Sequence, residues 1–117
     1  LVRSRGLGDV YKRQQLFLVA EEDEEIIGFA NFIYGEELYL AAHYVRPESQ
    51  HKGYGTRLLT EGLNQFKGQY DTVYLEVDNK NNHGIDYYKE NGFEIVRSYQ
   101  PEMYGETMDL ALMKKSF

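Results

Sequence analysis

The sequence predicts an α/β domain with a mixed, mostly antiparallel sheet, one parallel β-α-β crossover and helices packed on the sheet. Three observations lead to this prediction. Several short runs are rich in apolar, β-branched and aromatic residues, which is typical of strands. Two other segments place their apolar residues at helical spacing. One of these helices lies between two strands, and such a strand–helix–strand step is a right-handed parallel connection.

Three strands are predicted before the first helix. The first two form a hairpin in "QLFLVAEED" and "EEIIGFANFIYG", joined by the acidic turn Glu21–Glu25. We interpret this turn as a solvated hairpin tip, and electrostatic attraction of a basic substrate is the functional alternative. The third strand, Glu37–Val45, has apolar residues on both faces, as a central strand requires. Pro47 ends it because proline cannot donate to the sheet ladder.

A helix is predicted over residues 55–67, before Gly68. Its apolar residues fall at helical spacing: Leu58, Leu59, Leu63 and Phe66. A strand over residues 72–78 follows, in which Val73, Leu75 and Val77 alternate with Tyr74 and Glu76. The helix therefore connects two strands, and this is the predicted parallel step.

A second, short helix is predicted in "NHGIDYYKENGF", ending at Asn91-Gly92. Ile85 and Tyr88 are expected to face inward from it. The remaining segment, "EIVRSYQPEMYGETMDLALMKK", predicts two strands connected around Gly105. In the last strand the alternating residues are Met108, Leu110 and Leu112.

The opening segment, residues 1–14, differs in character from the rest of the chain. It holds four basic residues against one acidic residue and shows neither hydrophobic period. The run "SRGLGDVYKRQ" also resembles a translated sequencing-library transposon adapter. We therefore interpret residues 1–14 as a non-native or disordered leader and residues 15–117 as the domain. A basic arm for an anionic partner is the functional alternative.

Composition excludes several classes of function. The 117 residues contain no cysteine, which excludes disulfides, thiolate metal sites and cysteine nucleophiles. The three histidines are scattered without metal-ligand spacing, so we expect no metal site. A formal charge of −6 argues against a nucleic-acid partner. We also expect cytoplasmic residence without a membrane partner, since no apolar run approaches the ~18–20 residues of a membrane span and no signal-peptide pattern is present.

The turn "QHKGYGT", Gln50–Thr56, predicts an anion-binding site at the entry to the first helix. The first N–H groups of a helix have no intrahelical acceptor, and the helix dipole places partial positive charge there. Glycine permits a positive φ and removes the Cβ that would hold a ligand away. The turn is thus suited to a phosphate or pyrophosphate, with added charge from Lys52 and Arg57. Alone, the pattern fits a tight strand-to-helix turn equally well.

Two motifs together resemble the GNAT superfamily of N-acetyltransferases. The pattern of that family's acetyl-CoA pyrophosphate loop, [QR]-x-x-G-x-[GA], is similar to Gln50-His51-Lys52-Gly53-Tyr54-Gly55. A second pattern, N-x-x-[AG]-x-x-[FY]-Y-x-x-x-G-F, matches at Asn81, Gly84, Tyr87, Tyr88, Gly92 and Phe93. The resemblance covers Gln15 to about Lys115. The first strand and following two helices of the family fold have no counterpart, as expected if the adapter truncates the gene.

The resemblance implies an N-acetyltransferase that moves an acetyl group from acetyl-CoA to a primary amine by direct attack in a ternary complex. The acceptor is a small molecule, a polyamine or a peptide, and a homodimer is left open. Tyr88 is the implied general acid for the departing thiolate. The implied acetyl-CoA-binding residues are His43, Tyr44, Val45, Gln50, His51, Lys52, Gly53, Tyr54, Gly55, Thr56, Asn81 and Tyr88.

The general base is not identified by the sequence. Many relatives carry a glutamate midway along the fourth strand, where this chain has Tyr39. The open choices for the base are Glu37, Glu76 or His43, acting through water. Each is also explained as a solvated or packed side chain. The missing glutamate leaves open a catalytically inactive acyl-CoA-binding sensor or subunit. A phosphate-binding domain unrelated to acyl transfer is a third interpretation.

Overall fold

A computed structural model describes residues 2–10 and 13–117 of the chain. The strands are β1 (Val2–Val10), β2 (Arg13–Glu22), β3 (Glu25–Tyr34), β4 (Leu38–Val45), β5 (Thr72–Asp78), β6 (Glu94–Tyr99), β7 (Glu102–Met103), β8 (Glu106–Thr107) and β9 (Leu110–Ser116). The helices in the described residues are α1 (Tyr54–Phe66) and α2 (Asn82–Glu90), with a 3-10 turn at Pro47–Ser49. The chain divides into two compact units, residues 1–71 and 72–117.

The predicted α/β class, the mostly antiparallel pairing and the order of strands and helices are confirmed. Three strands of the described residues were not predicted. Two are the short β7 and β8, and the third is β1, since Val2–Val10 pairs antiparallel with β2 inside the segment expected to be a non-native or disordered leader. The non-native origin of that segment stays a prediction. Leu1, Tyr11 and Lys12 of the expected leader lie outside the described residues.

In the first unit, β1 to β4 form an antiparallel sheet in chain order, and α1 packs on it. The predicted apolar face of α1 is buried: Leu58, Leu59, Leu63 and Phe66. Opposite it lie buried residues of the sheet: Leu16, Leu18, Ala30, Phe32, Leu38 and Leu40. Gly62 lets the helix come close, because a Cβ built there would lie 2.2 Å from Cε2 of the Phe32 ring.

A bulge in β4 changes which side chains face α1. The register places Asn31 opposite Ala42 and Phe32 opposite Leu40, so Ala41 is an extra residue. Without the bulge, strict alternation would put His43 on the face opposite to that of Leu40. With it, His43 pairs with Ala30 and shares the helix-facing side of the sheet.

In the second unit, β9 pairs antiparallel with both β5 and β6. The alternating residues of β5 are buried as predicted: Val73, Leu75 and Val77. The alternation expected in the last strand assigned the wrong face to the core, since Ala111 and Met113 are buried while Leu110 and Leu112 are half-buried. Strand pairing decides which face of β9 is buried, because Met113 lies opposite Leu75 of β5. Every residue in 110–113 is apolar, so the sequence pattern carries no information about the face.

The connection predicted around Gly105 is itself a small antiparallel hairpin of β7 and β8. Tyr104 and Gly105 form its turn with φ values of 54° and 78°, as two-residue hairpin turns require. No helix in residues 2–10 and 13–117 is long and apolar enough to cross a membrane.

Candidate active site

The turn at the start of α1 has the backbone of an anion-binding loop. Gly53 adopts φ 86°, in the left-handed region that favours glycine. Its carbonyl accepts the first helical hydrogen bond, from the Arg57 N–H at 3.0 Å. The N–H groups of Tyr54 and Gly55 come before Arg57, the first donor of the helical ladder, and therefore have no acceptor within the helix. A Cβ at Gly53 would meet no atom within 4 Å, so a ligand has room to approach the backbone there.

His51 also adopts a positive φ, 64°, which the sequence did not predict for a residue with a side chain. Left-handed backbone is uncommon outside glycine, although histidine is among the residues enriched there. His51 and Gly53 thus both turn the chain sharply within three residues before α1 begins. This turn fits a pyrophosphate better than a straight helix entry, because several N–H groups converge in such a turn.

The side chains of the loop are held by neighbours in the first unit. Gln50 Nε2 donates to the Val45 carbonyl at 2.8 Å, which ties the loop to the end of β4. Lys52 Nζ lies 3.5 Å from Glu22 Oε1, and Arg57 Nη2 lies 3.0 Å from Glu61 Oε1. Both cations predicted to attract an anion therefore have carboxylate partners.

His43 lies in the first unit and contacts the first turn of α1. Its Nε2 is 2.8 Å from the carbonyl oxygen of Gly55. A carbonyl only accepts, so Nε2 carries the proton, and that atom does not serve as a base. Burial lowers the pKa of His43, and the hydrogen bond that its ring donates to the Gly55 carbonyl opposes that effect in part. The ring is thus a neutral link between β4 and the anion-binding loop.

The end of β4 is shaped by a glycine that the sequence did not single out. Tyr44 and Val45 pair with Phe29 and Gly28. A Cβ on Gly28 would lie 2.6 Å from the Tyr44 carbonyl oxygen, so only glycine permits this approach of β3. The Tyr44 ring lies on the outer face, with its centroid 6.0 Å from that of Phe29.

In the second unit, Asn81 caps α2. Its Oδ1 accepts a hydrogen bond from the Gly84 N–H at 2.9 Å. A Cβ on Gly84 would lie 2.5 Å from Asn81 Nδ2, so the N-x-x-G spacing lets the capping side chain fold over the helix start. This contact gives Asn81 a role in positioning the helix, and its implied contact with acetyl-CoA stays a prediction.

Tyr88 is packed among aromatic rings in the second unit. Its ring centroid lies 5.3 Å from that of Tyr87 and 5.5 Å from that of Phe93. Burial, with a smaller contribution from Tyr87, raises the pKa of Tyr88 from 10.0 to about 12. The hydroxyl is therefore protonated throughout the neutral range. It is also a weaker acid than an ordinary tyrosine with an unperturbed pKa.

Two of the candidate bases, Glu37 and Glu76, are exposed in the structure. The Tyr39 hydroxyl donates to Glu37 Oε2 at 3.0 Å, and both side chains are exposed. Glu76 is exposed on β5, opposite Leu112. The identity of the base therefore stays a prediction.

Asn81 offers a test of the cap by substitution. We expect Asn81→Ala to lower the free energy of unfolding by about 1 kcal/mol, because it removes the acceptor for the Gly84 N–H. Asn81→Asp should keep wild-type stability, since aspartate caps as well and suits the positive end of the helix dipole. Urea denaturation of the three proteins measures the difference. Equal stability of wild type and Asn81→Ala would contradict the capping role.

Comparisons with known proteins agree with the two motifs. Residues 4–93 match the model of the acetyltransferase (GNAT) family. The chain is 32% identical over 88 residues to the peptidyl-lysine N-acetyltransferase YiaC of Escherichia coli (strain K12). That match covers 75% of this chain and 56% of YiaC, so the chain spans little more than half the length of this relative.

Solved structures also resemble the chain. The PaiA N-acetyltransferase of Thermoplasma acidophilum, in complex with coenzyme A, is 30% identical with a TM-score of 0.70, over 88% of this chain and 61% of that one. A putative streptothricin acetyltransferase from Bacillus anthracis with acetyl coenzyme A has a TM-score of 0.79 at 22% identity, over 88% and 62% of the two chains. The second similarity concerns the fold alone. Since the family model covers residues 4–93, the chain belongs to the acetyltransferase (GNAT) family.

Proposed function

We propose that this chain contains the acetyl-CoA-binding loop of an N-acetyltransferase that acts on a primary amine, together with the residue that donates a hydrogen bond to the departing sulfur. The observation that carries the proposal is the loop before α1, where Gly53 is left-handed and the N–H groups of Tyr54 and Gly55 have no acceptor within the helix. Membership of the GNAT family connects such a loop with the pyrophosphate of acetyl-CoA. Two similar solved structures contain coenzyme A or acetyl coenzyme A, which supports the same ligand.

The proposed reaction is a direct acyl transfer. The unprotonated amine attacks the thioester carbonyl, the new C–N bond forms, and the C–S bond breaks with its electron pair going to sulfur. The amine loses one proton to solvent. The sulfur departs as a thiolate that accepts a hydrogen bond from Tyr88 and then takes up one proton from solvent. Holding the amine and the thioester together contributes up to ~7–11 kcal/mol to such a reaction. We assign the binding of the pyrophosphate of acetyl-CoA, which is one part of this positioning, to residues 51–56.

Tyr88 is the proposed donor of a hydrogen bond to the sulfur, in place of the full proton transfer of a general acid. With a pKa of about 12, it stays protonated at every physiological pH. Complete proton transfer to a thiolate is unfavourable, because an ordinary thiol has a pKa of ~8.5. We therefore assign Tyr88 a hydrogen bond that strengthens as charge develops on the departing sulfur.

The acceptor we place first is a cationic amine, such as a lysine side chain or a polyamine. The chain has a formal charge of −6, which attracts cationic molecules. The relative YiaC is a peptidyl-lysine N-acetyltransferase, which supports testing lysine peptides first.

The test measures acetyl-CoA binding by calorimetry and release of the free thiol in the presence of lysine peptides, polyamines and small primary amines. We expect binding, and thiol release that depends on the amine. Binding without release for any amine would favour the acyl-CoA-binding sensor or subunit. Affinity for nucleotides lacking pantetheine, with none for acetyl-CoA, would favour the unrelated phosphate-binding domain.

Two glycines provide a matched pair of variants for this test. Gly53 and Gly68 both have φ 86°, and a Cβ at either would meet no atom within 4 Å. Alanine at either position costs ~1–2 kcal/mol of backbone strain, so the losses of stability should be similar. We expect only Gly53→Ala to weaken acetyl-CoA binding. Equal affinities of the two folded variants for acetyl-CoA would contradict the proposed role of the loop in binding.

A further inference from the structure

Two carboxylates of the acidic turn Glu21–Glu25 contact other side chains of the first unit. Glu22 Oε2 accepts a hydrogen bond from the Tyr54 hydroxyl at 2.7 Å. Glu25 Oε2 lies 2.9 Å from Arg46 Nη1. The interpretation of the whole turn as a solvated tip is therefore wrong for Glu22, which is half-buried, while Asp23, Glu24 and Glu25 are exposed.

Glu22 contacts residues on both sides of Gly53. The Tyr54 hydroxyl follows that glycine in sequence, and the Lys52 ammonium group, 3.5 Å from Glu22 Oε1, precedes it. The Glu22 side chain is only 27% exposed, so these contacts are made in a partly sheltered position at the end of β2. A single carboxylate thus restrains both neighbours of the residue that shapes the loop.

A second contact fixes the same region. Arg46 connects Glu25 with the buried Ser49, since its Nε donates to Ser49 Oγ at 3.1 Å. The Arg46 N–H also donates to the Ile27 carbonyl at 2.8 Å. The β2–β3 hairpin therefore holds the segment between β4 and α1 at two points, near its beginning and near its end.

We infer that Glu22 is a positioning residue for acetyl-CoA, which holds Lys52 and Tyr54 so that the backbone between them keeps its anion-binding conformation. The inference rests on the proposed function. A carboxylate beside a pyrophosphate site repels the ligand, so its charge alone weakens binding. Its contacts have the opposite effect, because a preformed loop binds without first being ordered.

The two hydrogen-bonding groups keep their forms over a wide pH range. The hydrogen bond from Tyr54, together with Lys52, lowers the pKa of Glu22. The same bond raises the pKa of Tyr54. Glu22 is thus a carboxylate and Tyr54 a neutral phenol at neutral pH, which is the strongest pairing these side chains make.

The test compares acetyl-CoA affinity in Glu22→Ala, Glu22→Gln and Glu24→Gln. We expect Glu22→Ala to weaken binding about two- to fivefold, as for an exposed charged pair. Glu22→Gln keeps an acceptor for the Tyr54 hydroxyl and loses the repelling charge, so it should bind at least as tightly as wild type. Glu24→Gln removes the same charge from the exposed tip and should leave affinity unchanged. Wild-type or tighter binding by Glu22→Ala would overturn the inference.

The paired variant Tyr54→Phe separates positioning from general loss of structure. It removes the hydroxyl and keeps the ring, so it should weaken binding about as much as Glu22→Ala. The double variant should bind no more weakly than the weaker of the two single variants, because both substitutions remove the same hydrogen bond between Tyr54 and Glu22. Additive losses would show that Glu22 and Tyr54 act independently and would contradict the inference.

Amide hydrogen exchange of residues 51–55 without ligand tests the restraint directly. Exchange should be faster in Glu22→Ala than in wild type and unchanged in Glu24→Gln. If wild type fails to bind acetyl-CoA, the proposed function fails, and exchange alone still decides whether Glu22 holds the loop. Unchanged exchange in Glu22→Ala would sink the inference even if acetyl-CoA binds.

Discussion

Replacing Tyr88 by phenylalanine is expected to lower kcat about 100-fold and to leave the affinity for acetyl-CoA nearly unchanged. This is the lower end of the range for general acid–base catalysis, ~10²–10⁴. We choose the lower end because the raised pKa of about 12 makes Tyr88 a hydrogen-bond donor to the sulfur more than a complete acid. The ring contacts with Tyr87 and Phe93 do not need the hydroxyl, so the variant should fold.

Steady-state thiol release with a saturating amine measures the effect. Tyr87→Phe is the matched control, since it removes a hydroxyl one residue earlier, from the ring that packs against Tyr88. It should keep turnover near that of wild type. A Tyr88→Phe enzyme with full turnover would leave Tyr88 with a packing role only.

The raised pKa of Tyr88 also has a consequence for stability at high pH. The unfolded chain loses this proton near pH 10, while the folded chain keeps it until about pH 12. The contribution is therefore fully present below pH 10 and is lost as the pH rises through about 12. Tyr88→Phe lacks this group, so its stability should fall less steeply with pH in that window than that of wild type.

The elements of the fold were predictable because each has a local cause. Apolar spacing predicted a helix over residues 55–67, and it is observed over Tyr54–Phe66. The strand predicted over 72–78 is observed at Thr72–Asp78. The left-handed backbone at Gly53 was expected from glycine at a helix entry, because a non-glycine residue is strained there.

The part of the site that the sequence did not predict depends on contacts between residues that are distant in sequence. Glu22 and Tyr54 are 32 positions apart, and nothing in either local pattern relates them. The orientation of His43 depends on the extra residue Ala41, since one inserted position exchanges the faces of the strand. Neither the bulge nor the resulting hydrogen bond to Gly55 has a signal in a period-two pattern.

Gly62 is a position where a small change should cost considerable stability. On the sequence alone, Gly62→Ala in the middle of α1 should stabilise the protein by about 1 kcal/mol, because alanine favours helices. In the structure, however, the new Cβ would lie 2.2 Å and 2.4 Å from two ring carbons of Phe32 and 3.2 Å from Leu18 Cδ1. The Phe32 ring is fully buried, so it has no solvent to move into.

We therefore expect Gly62→Ala to lower the free energy of unfolding by about 2 kcal/mol, because overpacking costs ~1–3 kcal/mol or more and outweighs helix propensity. Urea denaturation should show a lower midpoint with an unchanged slope. Asn64→Ala, at an exposed position of the same helix, controls for propensity and should not destabilise. Phe32→Leu should cost less in the Gly62→Ala background than in wild type, because the smaller side chain makes room for the methyl group. A Gly62→Ala protein more stable than wild type would mean that α1 and β3 separate freely enough to admit a side chain, and the close approach would then not determine how this helix packs.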